Sequence, residues 1–188
     1  MKKLIILLVV LGFAVTANAA LITLSPVDVG LSEGRLGGAD DPLLESDIIG
    51  LDIMYMPDGA QDLLSLATVV TAEGLGSLDA SDLTFPYDEG FSGSEEVVAG
   101  KEYGMWTADF GGMGEGILID HILFHCDGEG LVVVSLAPGV NPQIGPTLYI
   151  DGTTEYDGQW GSIEINQIPE PATIVLLGLG GLFLRRRK

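Results

Sequence analysis

Two histidines, His121 and His125, form the first pattern in the sequence with the residue types to bind a metal ion. They lie in the segment ILIDHILFHC, which is rich in apolar and β-branched residues and predicts a strand. On a strand both imidazoles share a face, but four steps of about 3.3 Å separate their Cα atoms by about 13 Å. One zinc ion cannot bridge that distance, and the glutamate of an H-E-x-x-H helix is missing. We therefore predict structural histidines.

No other pattern assembles a catalytic group. A G-x-S-x-G elbow does not occur, and 27 acidic residues make carboxylate pairs too common to indicate glycoside hydrolysis. The single cysteine, Cys126, excludes an intramolecular disulfide and is predicted to be a small buried residue rather than a nucleophile. We predict that the chain is not an enzyme and has no catalytic residues.

One acidic turn offers oxygen ligands for calcium through Asp151, Glu155 and Asp157. The spacing does not match an EF-hand loop, so the sequence predicts either weak calcium binding here or no cofactor at all. A saccharide would need exposed aromatic side chains, and the candidates are Trp106, Trp160 and Tyr149. Packing in the core or at a sheet edge is the favoured interpretation of these three rings.

The elements that must position these side chains are predicted strands. In DIIGLDIMYMPDG, apolar residues from Ile49 to Tyr55 alternate with other residues before a turn, as in a half-buried strand. ILIDHILFHC and LVVVSLAPG flank the turn Asp127–Gly130 and predict a hairpin. DLLSLATVV also fits a helix, but its β-branched end favours a strand.

Further strands are predicted at LITLSPVDV, EEVVAGKEYGMWTADF, TLYID and WGSIEI. Seven to nine short strands predict an all-β fold, an antiparallel β-sandwich at residues 20–168. An early strand ending in a turn, LDIMYMPDG, and a late apolar segment, ILFHCDGEGLVVVSL, resemble the order in the cohesin-like sandwiches of exported bacterial proteins. A dockerin, the partner of cohesins, has no counterpart in this sequence.

The charge of residues 20–168 excludes one class of partner. Only Arg35 and Lys101 are basic there, against 26 acidic residues, which gives a formal charge of −24. Such a surface repels phosphate backbones, so we predict no nucleic acid binding.

The N-terminus, MKKLIILLVVLGFAVTANA, predicts a signal peptide at residues 1–19. Two lysines precede a short apolar run, and Ala17 and Ala19 supply the small residues that a signal peptidase reads. Cleavage is expected after Ala19, which predicts export.

The C-terminus contains a second targeting pattern, at residues 169–188. Pro169 and Pro171 precede the uncharged 13-residue run ATIVLLGLGGLFL, which as a helix is about 20 Å long, short of the roughly 30 Å hydrocarbon core. The basic tail that follows favours a cytoplasmic end, and it consists of Arg185, Arg186, Arg187 and Lys188. We predict a short transmembrane helix that holds residues 20–168 on the outer face.

The order of Pro169-Glu170-Pro171, the apolar run and the basic tail resembles the PEP-CTERM sorting signal of Gram-negative bacteria. The resemblance implies recognition at the P-E-P motif by exosortase, a membrane-embedded protease, and hosts that make exopolysaccharide. An uncut membrane anchor is the alternative.

Together these observations predict an exported surface or matrix protein with a structural or interaction role. Inner-membrane anchoring is expected to be transient, and the expected final location is the cell surface or the extracellular polymer. The alternative is a carbohydrate- or calcium-binding module of the same fold, and a secreted hydrolase has the least support.

Overall fold

The structure, a computed structural model, describes residues 20–57, 59–88 and 90–169 of the 188-residue chain. These residues form strands joined by turns and loops, with no helix among them. Nine of the described strands have four residues or more, and three have two. The strands are β1 (Leu21–Leu31), β2 (Leu43–Leu44), β3 (Ile48–Met56), β4 (Leu63–Glu73), β5 (Gly76–Asp79), β6 (Gly93–Val98), β7 (Glu102–Met113), β8 (Gly116–Cys126), β9 (Gly130–Pro138), β10 (Leu148–Tyr149), β11 (Gln159–Trp160) and β12 (Ser162–Ile168).

The strands form two sheets. The five-stranded sheet has the order β11-β1-β3-β8-β5, and the seven-stranded sheet has the order β2-β12-β9-β4-β7-β6, with β10 paired to β4. The predicted all-β sandwich is confirmed. Its pairing is not purely antiparallel, however, because β1 pairs with β11 and β12 pairs with β2 in parallel. These two-residue strands are short enough that the alternation in sequence gives no signal for them.

One hydrophobic core lies between the sheets. Alternate residues of the long strands point inward, as Leu66 and Val70 do from β4 and Phe124 does from β8, and these side chains are fully buried. Each such side chain contributes about 1.5–3 kcal/mol of burial free energy. Tyr55 of β3 is also fully buried, and its hydroxyl donates a 2.6 Å hydrogen bond to the Gln61 carbonyl.

Several predicted elements are confirmed. β1, β3, β4 and β8 lie where alternation placed them, and the segment DLLSLATVV is a strand rather than a helix. Cys126 is 2 % exposed and belongs to the core, and burial raises the pKa of its thiol. The interpretation of Cys126 as a buried residue is therefore confirmed.

The predicted hairpin around Asp127–Gly130 is wrong. β8 pairs with β3 and β5 in one sheet, whereas β9 pairs with β4 and β12 in the other. The short turn therefore crosses from sheet to sheet, so that the apolar faces of β8 and β9 both line the core.

A second correction concerns EEVVAGKEYGMWTADF, which is a hairpin of β6 and β7 rather than one strand. The turn closes through a 2.8 Å hydrogen bond from the Lys101 N–H to the Val98 carbonyl, and Gly100 adopts a φ of 62°.

The predicted targeting segments lie outside the described residues. These are the signal peptide at residues 1–19 and the sorting segment from Glu170 onward, including its predicted membrane helix. Within the described ranges, no helix is long and apolar enough to cross a membrane.

Candidate functional site

A β-bulge in β8 brings together the side chains of the candidate site. On β3, Leu51 and Ile53 are two residues apart, while their partners on β8, Ile122 and Ile119, are three residues apart. Two consecutive residues of β8, Asp120 and His121, therefore oppose the single residue Asp52 of β3. His121 adopts a φ of 60°, a conformation that non-glycine residues seldom take.

The three side chains form a compact cluster. One ligand atom of each, a carboxylate oxygen of Asp52, another of Asp120 and a ring nitrogen of His121, lie within 4.8 Å of one another. The Nε2 atom of His121 is 3.4 Å from the Oδ1 atom of Asp120. The backbone N–H of His121 donates a 3.2 Å hydrogen bond to the Oδ1 atom of Asp52. Among the described residues, this is the one group of three acidic, histidine or cysteine side chains that could hold a metal ion.

Neighbouring segments hold the cluster from two sides. The Thr84 N–H donates to the Asp120 carbonyl at 3.1 Å, and the Asp120 N–H donates to the Thr84 carbonyl at 2.9 Å. The Thr84 hydroxyl donates to the Oδ2 atom of Asp120 at 3.3 Å. On the other side, a Cβ atom at Gly50 would lie 2.7 Å from Val27 and 3.2 Å from the His121 ring, so glycine leaves room for that ring.

The electrostatics of the cluster are unfavourable without a cation. Asp52 is only 4 % exposed, and burial, together with a hydrogen bond to the nearby Asp120 carboxyl, raises the pKa of Asp52 to about 6. Arg35 and Lys101, the two basic residues in the described ranges, form hydrogen bonds with other residues. Arg35 donates to Asp47 and Glu33, and Lys101 donates to backbone carbonyls. Apart from the imidazole of His121, the Asp52–Asp120 pair thus has no lysine or arginine beside it among the described residues.

The second histidine has a different environment. His125 is four residues further along β8, and its Nε2 atom lies 3.9 Å from the Oδ2 atom of Asp79, beyond hydrogen-bonding distance. The register is regular from Ile122 to His125, and these three steps of about 3.3 Å place His125 roughly 10 Å beyond Ile122, the residue that follows His121. The structure therefore places His121 and His125 in separate environments.

The predicted calcium ligands are not clustered in this structure. Asp151 accepts hydrogen bonds from the Thr154 hydroxyl and the N–H groups of Thr153 and Thr154, and these bonds lower the pKa of Asp151 to about 2. Glu155 is exposed, and the Tyr149 hydroxyl donates to Asp157 at 3.2 Å. Calcium binding at this turn stays a prediction.

The aromatic candidates pack against neighbouring residues. Tyr149 is 8 % exposed, and Trp160 makes an edge-to-face contact with Tyr156 at a centroid distance of 5.4 Å. Trp106 lies opposite Gly93 of β6 and lines a shallow groove on the outer face of the seven-stranded sheet. Among the described residues that line this groove, Glu95 is the one acidic side chain, and no histidine, lysine or arginine accompanies it. The groove therefore does not place an acid and a base side by side.

Of the predicted sorting residues, the structure describes only Pro169, which is half-buried directly after β12. The predicted signal-cleavage, motif and basic-tail residues lie outside the described residues, and these are Ala17, Ala19, Glu170, Pro171, Arg185, Arg186, Arg187 and Lys188.

Sequence reasoning found His121 but missed its partners Asp52 and Asp120. Strict alternation places Asp120 and His121 on opposite faces of β8, and only the bulge overrides it. The sequence signal that remains is weak: Asp52 is an ionisable residue in the middle of an otherwise apolar, central strand.

Comparison with known proteins identifies the C-terminus and the fold separately. Residues 167–188 match the model of the PEP-CTERM protein-sorting motif. No curated protein matches the chain in sequence.

Solved cohesin modules share the fold of the described residues. A non-cellulosomal cohesin from Archaeoglobus fulgidus aligns with a TM-score of 0.53 and 12 % identity, over 82 % of this chain and 95 % of that one. The cohesin module of a Clostridium perfringens family 33 glycoside hydrolase aligns with a TM-score of 0.52 and 14 % identity, over 82 % and 100 %. A cohesin from Acetivibrio cellulolyticus, solved in complex with a dockerin, aligns with a TM-score of 0.51 and 9 % identity, over 78 % and 99 %.

At these identities the structural neighbours establish the fold alone. The sorting motif indicates that the chain is exported and that its C-terminal segment directs it to the membrane. The chain therefore carries a PEP-CTERM protein-sorting motif behind a β-sandwich with the fold of cohesin modules.

Proposed function

We propose that the chain is an exported surface or extracellular-matrix protein that exosortase processes, with a structural or interaction role. The observation that carries this proposal is the position of the sorting motif. The motif begins at Gln167, and the last strand of the sandwich, β12, ends at Ile168. A cut at or after Pro169 would leave every described strand in place, so processing would release or transfer a complete sandwich.

The fold supports the interaction part of the proposal. Solved cohesin modules share this fold, and one of them was solved bound to a dockerin. By analogy, the sandwich is proposed to bind a partner rather than to catalyse a reaction. The charge of residues 20–168 suits an environment outside the cell, where divalent cations can neutralise acidic surfaces. A link to exopolysaccharide or biofilm belongs to the same proposal.

The mass of the exported protein tests the processing step. We expect the wild-type protein from the cell surface or medium to lack Arg185–Lys188 in intact mass spectrometry. Pro169→Ala and Glu170→Ala should retain these residues and accumulate in the membrane fraction. Pro142→Ala, an exposed proline outside the motif, is the matched control and should be processed normally. A wild-type protein that keeps its full basic tail would contradict the proposal.

A separate experiment tests the link to the matrix. A strain that lacks the chain should retain less exopolysaccharide and form less biofilm, and the wild-type gene should restore both. The Glu170→Ala form should restore neither if processing is needed for the role. Equal biofilm with and without the chain would remove the matrix role and leave the processing proposal to be judged by mass alone.

A further inference from the structure

We propose that Asp52, Asp120 and His121 bind one divalent transition-metal ion on the outer face of the five-stranded sheet, with zinc or manganese as the fitting ions. This site is distinct from the acidic turn at Asp151 and from the sorting motif. It does not depend on the proposed processing, because all three residues lie on β3 and β8 of the sandwich.

The spacing of the ligand atoms supports the proposal. In a tetrahedral zinc site the ligand atoms lie about 2.0–2.2 Å from the ion, so neighbouring ligands are about 3.3–3.6 Å apart. The His121 Nε2 atom and the Asp120 Oδ1 atom are already 3.4 Å apart. The Asp52 oxygen lies within 4.8 Å of both, so the three ligand atoms would need only a modest approach to surround one ion.

The charge of the cluster supports the proposal independently of the spacing. Asp52 is a carboxylic acid that is 4 % exposed, with a second carboxyl group as its neighbour. Burying an acid in this way is costly unless a proton or a cation balances it. The basic side chains Arg35 and Lys101 are engaged elsewhere. A divalent ion would balance both carboxylates at once, with the His121 ring as its third ligand.

The ligand types select the class of ion. Calcium takes six to eight oxygen ligands, whereas one imidazole and two carboxylates suit zinc and manganese. Access is open from one side, because the Asp120 and His121 side chains are 25 % and 38 % exposed while Asp52 forms the floor. Three protein ligands leave a coordination position free on the exposed side. That position would take water or a donor group from another molecule.

Metal binding is tested with the exported protein, purified and stripped with EDTA. At about 0.15 M salt, where weak association with surface acids is screened, the protein is titrated separately with Zn²⁺, Mn²⁺, Ca²⁺ and Mg²⁺. We expect one bound Zn²⁺ or Mn²⁺ per chain after gel filtration, and a Tm that rises by about 5–10 °C at a hundredfold excess over Kd. Cobalt as a probe should give visible absorption from an ordered site.

Matched variants separate this site from adventitious binding. His121→Asn keeps a residue that tolerates a positive φ, and it should weaken Zn²⁺ binding by at least about tenfold to hundredfold. Asp120→Asn, at a partly exposed position, should do the same. His125→Asn, on the same face of the same strand, should bind like the wild type. Thermal unfolding without metal checks that each variant is folded.

Three outcomes would overturn the proposal. One is a folded wild-type protein that binds neither Zn²⁺ nor Mn²⁺. Another is binding that survives His121→Asn and Asp120→Asn unchanged, since the ions would then sit on the acidic surface. The third is an equal loss in His125→Asn.

Discussion

Replacing Asp52 by asparagine should stabilise the metal-free protein at neutral pH. Asparagine has nearly the shape of aspartate, and its carbonyl can still accept the hydrogen bond from the His121 N–H, which is 3.2 Å long in the wild type. Its amide can donate to the Asp120 carboxylate. The substitution therefore removes a buried negative charge while keeping the contacts of the bulge.

The size of the effect follows from the pKa of Asp52. That pKa is raised from 3.8 to about 6, first by burial and then by the Asp120 carboxyl. A group with a raised pKa in the folded state stabilises the protein fully below its unfolded pKa, and this contribution is lost as the pH rises through the folded pKa. A shift of about two units at 1.36 kcal/mol per unit sets an upper value of about 3 kcal/mol at pH 7.5. Because Asp120 and His121 are partly exposed, we expect about 1–3 kcal/mol.

Urea unfolding of both proteins in EDTA, from pH 4 to pH 7.5, measures the difference. The free energies of unfolding should agree near pH 4, the advantage of the Asp52→Asn protein should grow as the pH rises from about 4 to about 6, and it should be near its full size at pH 7.5. Asp79→Asn, at a 44 % exposed side chain on the same face, should change stability by no more than about 0.5 kcal/mol. An Asp52→Asn protein that is less stable than wild type at pH 7.5 would refute the reasoning. Added Zn²⁺ should stabilise the wild type only.

Three further predictions concern the rest of the sandwich. Burial raises the pKa of Asp47, but hydrogen bonds from Arg35 and a backbone N–H outweigh it and lower the pKa, so Asp47 stabilises the fold above about pH 4. Asp47→Asn should therefore flatten the loss of Tm on acidification, and an unchanged pH profile would contradict this. Buried Cys126 should react with a thiol reagent only as fast as the chain unfolds, so urea should accelerate labelling; rapid labelling in native buffer would count against its burial. A Cβ atom at Gly76 would collide with the ring of Phe124, so Gly76→Ala should cost about 1–3 kcal/mol in urea unfolding, and no cost would show that the ring can move.

A strand was predictable where its own residues alternate between apolar and other side chains. In β3 and β4, alternation of apolar side chains is a local property, and it fixes which residues face the core without knowledge of the partner strand. β5 was missed because GSLD has four residues and two small ones, which leaves too little pattern to read. Length alone does not decide this, because the two-residue strand β10 lies within TLYID, which was predicted as a strand.

Strand partners were not predictable in the same way. β8 and β9 have the composition and the short turn of a hairpin, yet each finds its partners in a different sheet. Both strands carry an apolar face, and each face lines the core from its own sheet. The partners that hold each strand in its sheet are β3 and β5 for β8, and β4 and β12 for β9, so the arrangement cannot be read from the segment itself.

The same distinction explains the candidate site. The sequence identified His121 as a candidate metal ligand. It paired this residue with His125, and regular strand geometry keeps those two side chains too far apart to bind one ion. Its actual neighbour, Asp52, is 69 residues earlier on β3. The bulge then rotates Asp120 and His121 toward that one aspartate, at the cost of a positive φ at His121. A chain that needed only a stable sheet would gain from removing both the strained residue and the buried carboxylate, since each lowers stability. Metal binding would explain why the strained His121 and the buried Asp52 carboxylate lie side by side. The free energy of unfolding of Asp52→Asn, measured with and without zinc, separates that explanation from a defect of packing.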